Sequence, residues 1–127
     1  DLDRARERYG RLTKAIERGL VASAFPVSHG GLLTALAKVS IAGMIGMEIA
    51  VPVTIRPDYY LFSESLGRIV VTVSPGNRQE FEETLGTDAM LLGRVGGSSF
   101  RVTAGRPMVD LRVAEMEAAY KAPFGRF

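Results

Sequence analysis

The residues best equipped to bind or react lie in two short segments. Ser28-His29-Gly30-Gly31 sets a hydroxyl and an imidazole before paired glycines at the head of an apolar stretch. Small residues let a backbone come close to a ligand, and free N–H groups at a helix start attract phosphate or carboxylate. In that reading His29 is a base or an anion contact. The plainer account makes Ser28 a helix cap, the glycines a relief of crowding and His29 a solvated loop residue. Glu64-Ser65 puts a carboxylate beside a hydroxyl at the rim of an apolar run, a pair able to grip a sugar or an amide. It reads equally as an ordinary strand entry. Tyr59, Tyr60 and Phe62 offer a stacking platform for a base, or a plug for one end of a sheet or an interface.

Much chemistry is excluded. The 127 residues contain no cysteine and one histidine, so disulfides, thiolate zinc sites, cysteine nucleophiles and multi-histidine metal sites are absent. No glycine loop carries a phosphate-binding lysine, and no carboxylates are spaced for magnesium. No catalytic set is complete and no metal site is expected. Sixteen basic and 14 acidic residues leave a net charge of +2, which is no footprint for nucleic acid. The longest stretch free of charged residues, Gly19 to Ala37, is interrupted by Pro26, Ser28, His29, Gly30 and Gly31, whereas a membrane span needs about 20 apolar residues. Asp1, Asp3, Arg4 and Arg6 are unlike a signal peptide, and a chain opening on Asp1 without Met is expected to be a processed product or a fragment. A cytoplasmic location is expected.

With 46% hydrophobic and 24% charged residues, the chain has the balance of one globular domain spanning residues 1–127. Leu2, Ala5, Tyr9, Leu12, Ile16 and Leu20 recur at helical spacing, opposite a basic face interleaved with Glu7 and Glu17 that is expected to be solvated. Val21–Phe25 reads as a buried strand ended by Pro26, and Leu32–Ala42 as a helix apolar on nearly every face. Met47–Val53 reads as a strand that Pro52 places at an edge or shortens, Pro57–Ser63 as a turn or short helix, and Ile69–Val73 as a strand closed by Pro75-Gly76. Asn77 and Glu80 form an expected capping pair for a helix through Phe81 and Leu85 to Gly86. Met90–Val95 and Ser98–Thr103 around Gly96-Gly97 predict a hairpin. Met108–Asp110 adds a strand, with Asp110 capping a last helix that turns Val113, Met116 and Tyr120 inward. The order predicts an α/β (α+β) sandwich, a mixed sheet with helices packed on it.

Taken together, Val27–Ala37 and Leu61–Val71 resemble the C-terminal domain of the aminoimidazole ribonucleotide (AIR) synthase superfamily, and within it the phosphoribosylformylglycinamidine synthase family. Those segments hold Ser28-His29-Gly30-Gly31-Leu32 and Leu61-Phe62-Ser63-Glu64-Ser65-Leu66-Gly67-Arg68. The family patterns are Asp-x-Ser-Asp/Glu-Gly-Gly-Leu and Leu-Phe-x-Glu-Ser-x-x-Arg before an apolar strand. Val109-Asp110-Leu111 and Lys121-Ala122-Pro123 fit the family's ending, so the likeness spans nearly the whole chain.

The resemblance implies an ATP-dependent ligase that turns formylglycinamide ribonucleotide into its amidine with glutamine-derived ammonia, through an iminophosphate-type intermediate. It implies that ATP, magnesium and the catalytic histidine belong mainly to N-terminal-type ATP-binding domains of the same polypeptide, with a glutaminase as ammonia source. This domain would pack beside them and close the substrate cleft, needing no cofactor of its own and inactive in isolation. By resemblance, Glu64 and Ser65 match a Glu-Ser-Gln triplet that contacts substrate. Three positions depart: Leu66 replaces the glutamine, Pro26 an aspartate, and His29 an acid. These departures point to the second of two domain copies, in which Glu64 and Ser65 would be relics serving fold and packing. Other enzymes of the superfamily (thiamine-monophosphate kinase, selenophosphate synthase, a hydrogenase maturation factor) and a non-catalytic ligand-binding or assembly module remain as alternatives.

Overall fold

Leu12 and Ala15 turn inward from the first helix, α1 (Leu2–Glu17), which Asp1 caps by accepting from the Asp3 N–H at 3.1 Å. α1 belongs to one of two compact units into which the computed structural model, describing residues 1–125, divides: Asp1–Pro26 with Gly67–Leu91, and Val27–Leu66 with Leu92 onward. The buried stripe is turned from the expected one. Leu2, Tyr9 and Ile16 are exposed, while Ala15 is fully buried. A methyl side chain at Ala15 lets α1 approach α4 (Arg78–Leu85), whose Phe81 and Leu85 join Ala15 and Leu20 in this unit's core. Leu12 and Leu20 of the predicted stripe do pack in this core, while Leu2, Tyr9 and Ile16 fall outside it.

Beside α4, Asp88 is only 12% exposed and draws in two α1 arginines, Arg8 at 3.3 Å and Arg11 at 3.0 Å. β1 (Ser23–Pro26) and β3 (Ile69–Thr72) make a two-stranded antiparallel sheet in which Ser23 faces Thr72, their hydroxyls 2.6 Å apart. Contrary to expectation, β1 is mostly exposed. Asn77 does not cap α4 through its side chain: it ends a 3-10 turn, Pro75–Asn77, already in helical conformation, and its amide donates to the Gly19 carbonyl at 3.4 Å. A capping side chain needs an extended backbone at that position.

The second unit holds α2 (Gly31–Gly43), β2 (Met47–Ala50), α3 (Pro57–Phe62), β4 (Gly93–Val95), β5 (Ser99–Thr103), β6 (Pro107–Arg112) and α5 (Val113–Lys121). Its sheet runs β4-β2-β5-β6. The predicted hairpin is therefore corrected: β2 lies between its two arms, antiparallel to β4 and parallel to β5. Gly96-Gly97 does reverse the chain, but it crosses about 9–10 Å, two strand spacings, over the head of β2. There the Gly46 N–H donates to Gly97 and the Gly96 N–H to Gly46, each at 2.8 Å. β2 is thus interior rather than an edge, and its pairing ends after the Val51 N–H, since Pro52 has none to give.

Met47, Ile49, Phe100 and Val102 line the buried face of this sheet. On the other face Arg94, Glu48, Arg101 and Asp110 stand in register across all four strands, and Arg101 pairs with both Glu48 and Asp110 at 3.3 Å. Asp110 is therefore a strand residue and not the cap of α5. That cap is closed by Glu115, which accepts from the Arg112 N–H at 3.2 Å. α5 packs on α2 with Val113 buried and Met116 half-buried, whereas Tyr120 is exposed.

Candidate functional site

α2 begins on two consecutive residues of left-handed backbone, Gly30 (φ +84°) and Gly31 (φ +72°), which glycine adopts without a Cβ penalty. Gly31 is also fixed by space. A Cβ there would stand 2.6–2.7 Å from the Phe62 backbone and the Leu61 carbonyl, so the start of α2 rests directly on the end of α3. Ser28 is not a side-chain cap. Its carbonyl accepts from the Gly31 N–H at 3.0 Å, and Gly30 itself is the N-cap, with no side-chain cap bond.

The missing cap comes from the other segment. Glu64 Oε1 accepts from the Gly30 N–H at 2.8 Å, and Oε2 lies 3.5 Å from His29 Nδ1. The helix start concentrates partial positive charge that favours an anion, and the charge-assisted bond fixes that anion in place. The Gly30 N–H first, with His29 adding to it, holds the Glu64 carboxyl below the usual glutamate range against a smaller opposing push from burial. Glu64 is therefore an ionised hydrogen-bond acceptor at neutral pH.

The expected site residues thus divide into two groups. Ser28, His29, Gly30, Gly31 and Glu64 share one corner. Ser65 is next to it, its hydroxyl 3.4 Å from that of Ser63, and the His29 and Leu66 side chains are 97% and 98% exposed. Tyr59 and Phe62 are exposed and make no plug. The anchor of α3 is Leu61, 2% exposed, which the neighbouring aromatics obscured in the sequence. The charged row on the sheet also went unread, although the alternation Met47-Glu48-Ile49-Ala50 and Phe100-Arg101-Val102-Thr103 carries it.

The corner is open to solvent at His29 and Leu66. Open hollows of about 480 Å³, lined by Arg18, Glu80 and Glu83 among others, and about 400 Å³, lined by Glu48, Arg94 and Arg101 among others, include none of its residues. Among the described residues no group of three or more His, Asp or Glu could hold a metal ion. A nucleotide phosphate at the α2 start would meet the Glu64 carboxylate already on the Gly30 N–H. The Gly30 N–H is therefore not free for a phosphate, and the described residues gather no three-ligand metal cage. No helix among the described residues is long and apolar enough to cross a membrane.

Comparison with known proteins agrees with this architecture. The model of a family described as "AIR synthase related protein, C-terminal domain" matches residues 1–105. A phosphoribosylformylglycinamidine synthase subunit PurL of Methanocaldococcus jannaschii is 33% identical over 129 residues, covering 98% of this chain and 18% of that protein. Its counterpart in Lactobacillus delbrueckii subsp. bulgaricus is 37% identical over 121 residues, covering 95% and 16%. A structure titled "T. maritima PurL complexed with FGAR" superposes with a TM-score of 0.75 at 21% identity, over 89% of this chain and 21% of that one, and shows the shared fold. The chain thus spans less than a fifth of the length of these two curated relatives.

Proposed function

The chain belongs to the family of AIR synthase related C-terminal domains, and on that footing we propose that it is the C-terminal-type domain of a phosphoribosylformylglycinamidine synthase. In that role it supports an ATP-dependent, amidine-forming ligase of purine biosynthesis in the cytoplasm. Residues 1–127 act as one domain beside N-terminal-type ATP-binding domains of the same polypeptide. Those domains bring ATP and magnesium, and a glutaminase supplies ammonia.

The observation that carries this reading is the bond from Gly30 to Glu64. It unites in one corner the two segments on which the family resemblance rests. In the proposed role, Ser65 and the Ser28–Gly31 turn form part of the cleft wall and help to orient the ribonucleotide, and Glu64 holds the two segments together. The chain supplies no phosphoryl-transfer group of its own.

The test is amidine formation from formylglycinamide ribonucleotide, ATP, magnesium and ammonia. The chain alone is expected to give none, and the chain supplied with an N-terminal-type ATP-binding domain to restore it. Turnover by the chain alone, or a combination no better than the ATP-binding domain by itself, would refute the assignment.

A further inference from the structure

We propose that Glu64 is a positioning residue: its carboxylate is a built-in anion that holds the Ser28–Gly31 turn against the segment carrying Ser65, and it serves a ligand only through that turn. The inference deepens the cleft-wall reading above and rests on it.

Three observations support it. First, α2 has no acidic residue in its first turn and no side-chain cap at Gly30, so its own sequence leaves the helix start without an anion. Glu64, 34 positions further along the chain, fills that need at 2.8 Å. Second, Gly30 sits at φ +84° inside the turn closed by the Gly31 N–H on the Ser28 carbonyl, and the Glu64 carboxylate accepts from the N–H that this turn presents. Third, the contact is the second of a pair. The Gly31 backbone rests on Phe62, and two residues beyond Phe62 the Glu64 carboxylate closes on Gly30. With one oxygen on the Gly30 N–H and the other beside His29, both face the turn, while the Ser65 hydroxyl lies 3.4 Å from that of Ser63.

The experiment follows the Gly30 amide of the full ¹⁵N-labelled chain by NMR in wild type, Glu64→Gln and Glu64→Ala. In wild type the Gly30 proton shift is expected to titrate with the Glu64 carboxylate. Glu64→Ala should exchange this amide roughly tenfold faster, the scale of one lost charge-assisted hydrogen bond. Glu64→Gln still offers an oxygen, so exchange should stay within about threefold of wild type while the titration disappears. A Gly30 amide indifferent to pH and to both substitutions would overturn the proposal. This arm needs no ligand, so it stands or falls apart from the ligase-domain reading.

The second arm measures binding of formylglycinamide ribonucleotide with the ATP-binding domain present. Rescue by Gln but not by Ala is the expected result. Equal loss in both variants, with Gly30 still protected in Glu64→Gln, would mean that the charge meets the ligand directly and would also overturn it.

Discussion

Gly93 lies so close to the main chain of Glu48 that a Cβ on Gly93 would overlap the Glu48 carbonyl oxygen. The obstacle is backbone on both sides, β4 against β2, and no rotamer change relieves it. Gly93→Ala should therefore pry β4, an exposed edge strand, from β2 at a cost of about 1–2 kcal/mol, since an edge can yield more than a core. Urea unfolding measures this, and a cost under about 0.5 kcal/mol, the scale of an ordinary surface change, would contradict the register.

Gly31 meets the same difficulty at the candidate site. Gly31→Ala combines a left-handed backbone with a clash against Phe62 and Leu61, and should separate α2 from α3. Loss of protection of the Leu61 side chain, read by methyl NMR, is the expected signature. An unchanged Leu61 environment would show that the close approach is not required.

Asp88 binds two arginines of α1 from a largely buried position. Asp88→Asn removes the charge while keeping the shape, and should cost about 1–2 kcal/mol, more than an exposed ion pair, because the arginines lose a desolvated partner. Thermal unfolding with Arg78→Ala as the control checks this. Arg78 pairs with Glu82 on the open surface of α4 at 2.8 Å, so its loss should be nearly silent.

Acid should weaken the fold through Glu64, Asp58 and Glu115. Their carboxyls lie below the usual range because of the Gly30 N–H, Arg56 and Arg112, respectively. A carboxyl lowered on folding adds stability that is fully present above its ordinary value. That stability is lost as pH falls through the lowered folded-state value. Stability should accordingly be level near neutrality and decline below the ordinary glutamate range, with a shallower decline in Glu64→Gln. Parallel acid limbs in the two proteins would contradict the Gly30–Glu64 bond.

The sequence discloses what is local and conceals what is relational. The apolar period of α1 announces a helix, but the choice of Ala15 over Tyr9 as the contact is made by α4, far along the chain. Gly96-Gly97 announces a reversal, yet two glycines carry no mark of a third strand passing between the arms. Glu64 stood out as a carboxylate beside a hydroxyl, and Gly30 as a bare helix start. That each completes the other depends on the closeness of Gly31 to Phe62, which no spacing rule contains. Asp110 misled for the opposite reason: a good cap residue was claimed instead by Arg101 on the neighbouring strand.

The placing of β2 between β4 and β5 also bears on how the polypeptide emerges from the ribosome. Residues 47–50 are synthesised well before either neighbour, so a nascent chain carries this segment with both edges bare until Gly93–Thr103 has followed. Bare apolar edges invite pairing with other chains, and natural sequences guard them with charge and proline. Glu48 within the segment and Pro52 just beyond it stand where such guards would be, protecting during translation a strand that the finished fold encloses.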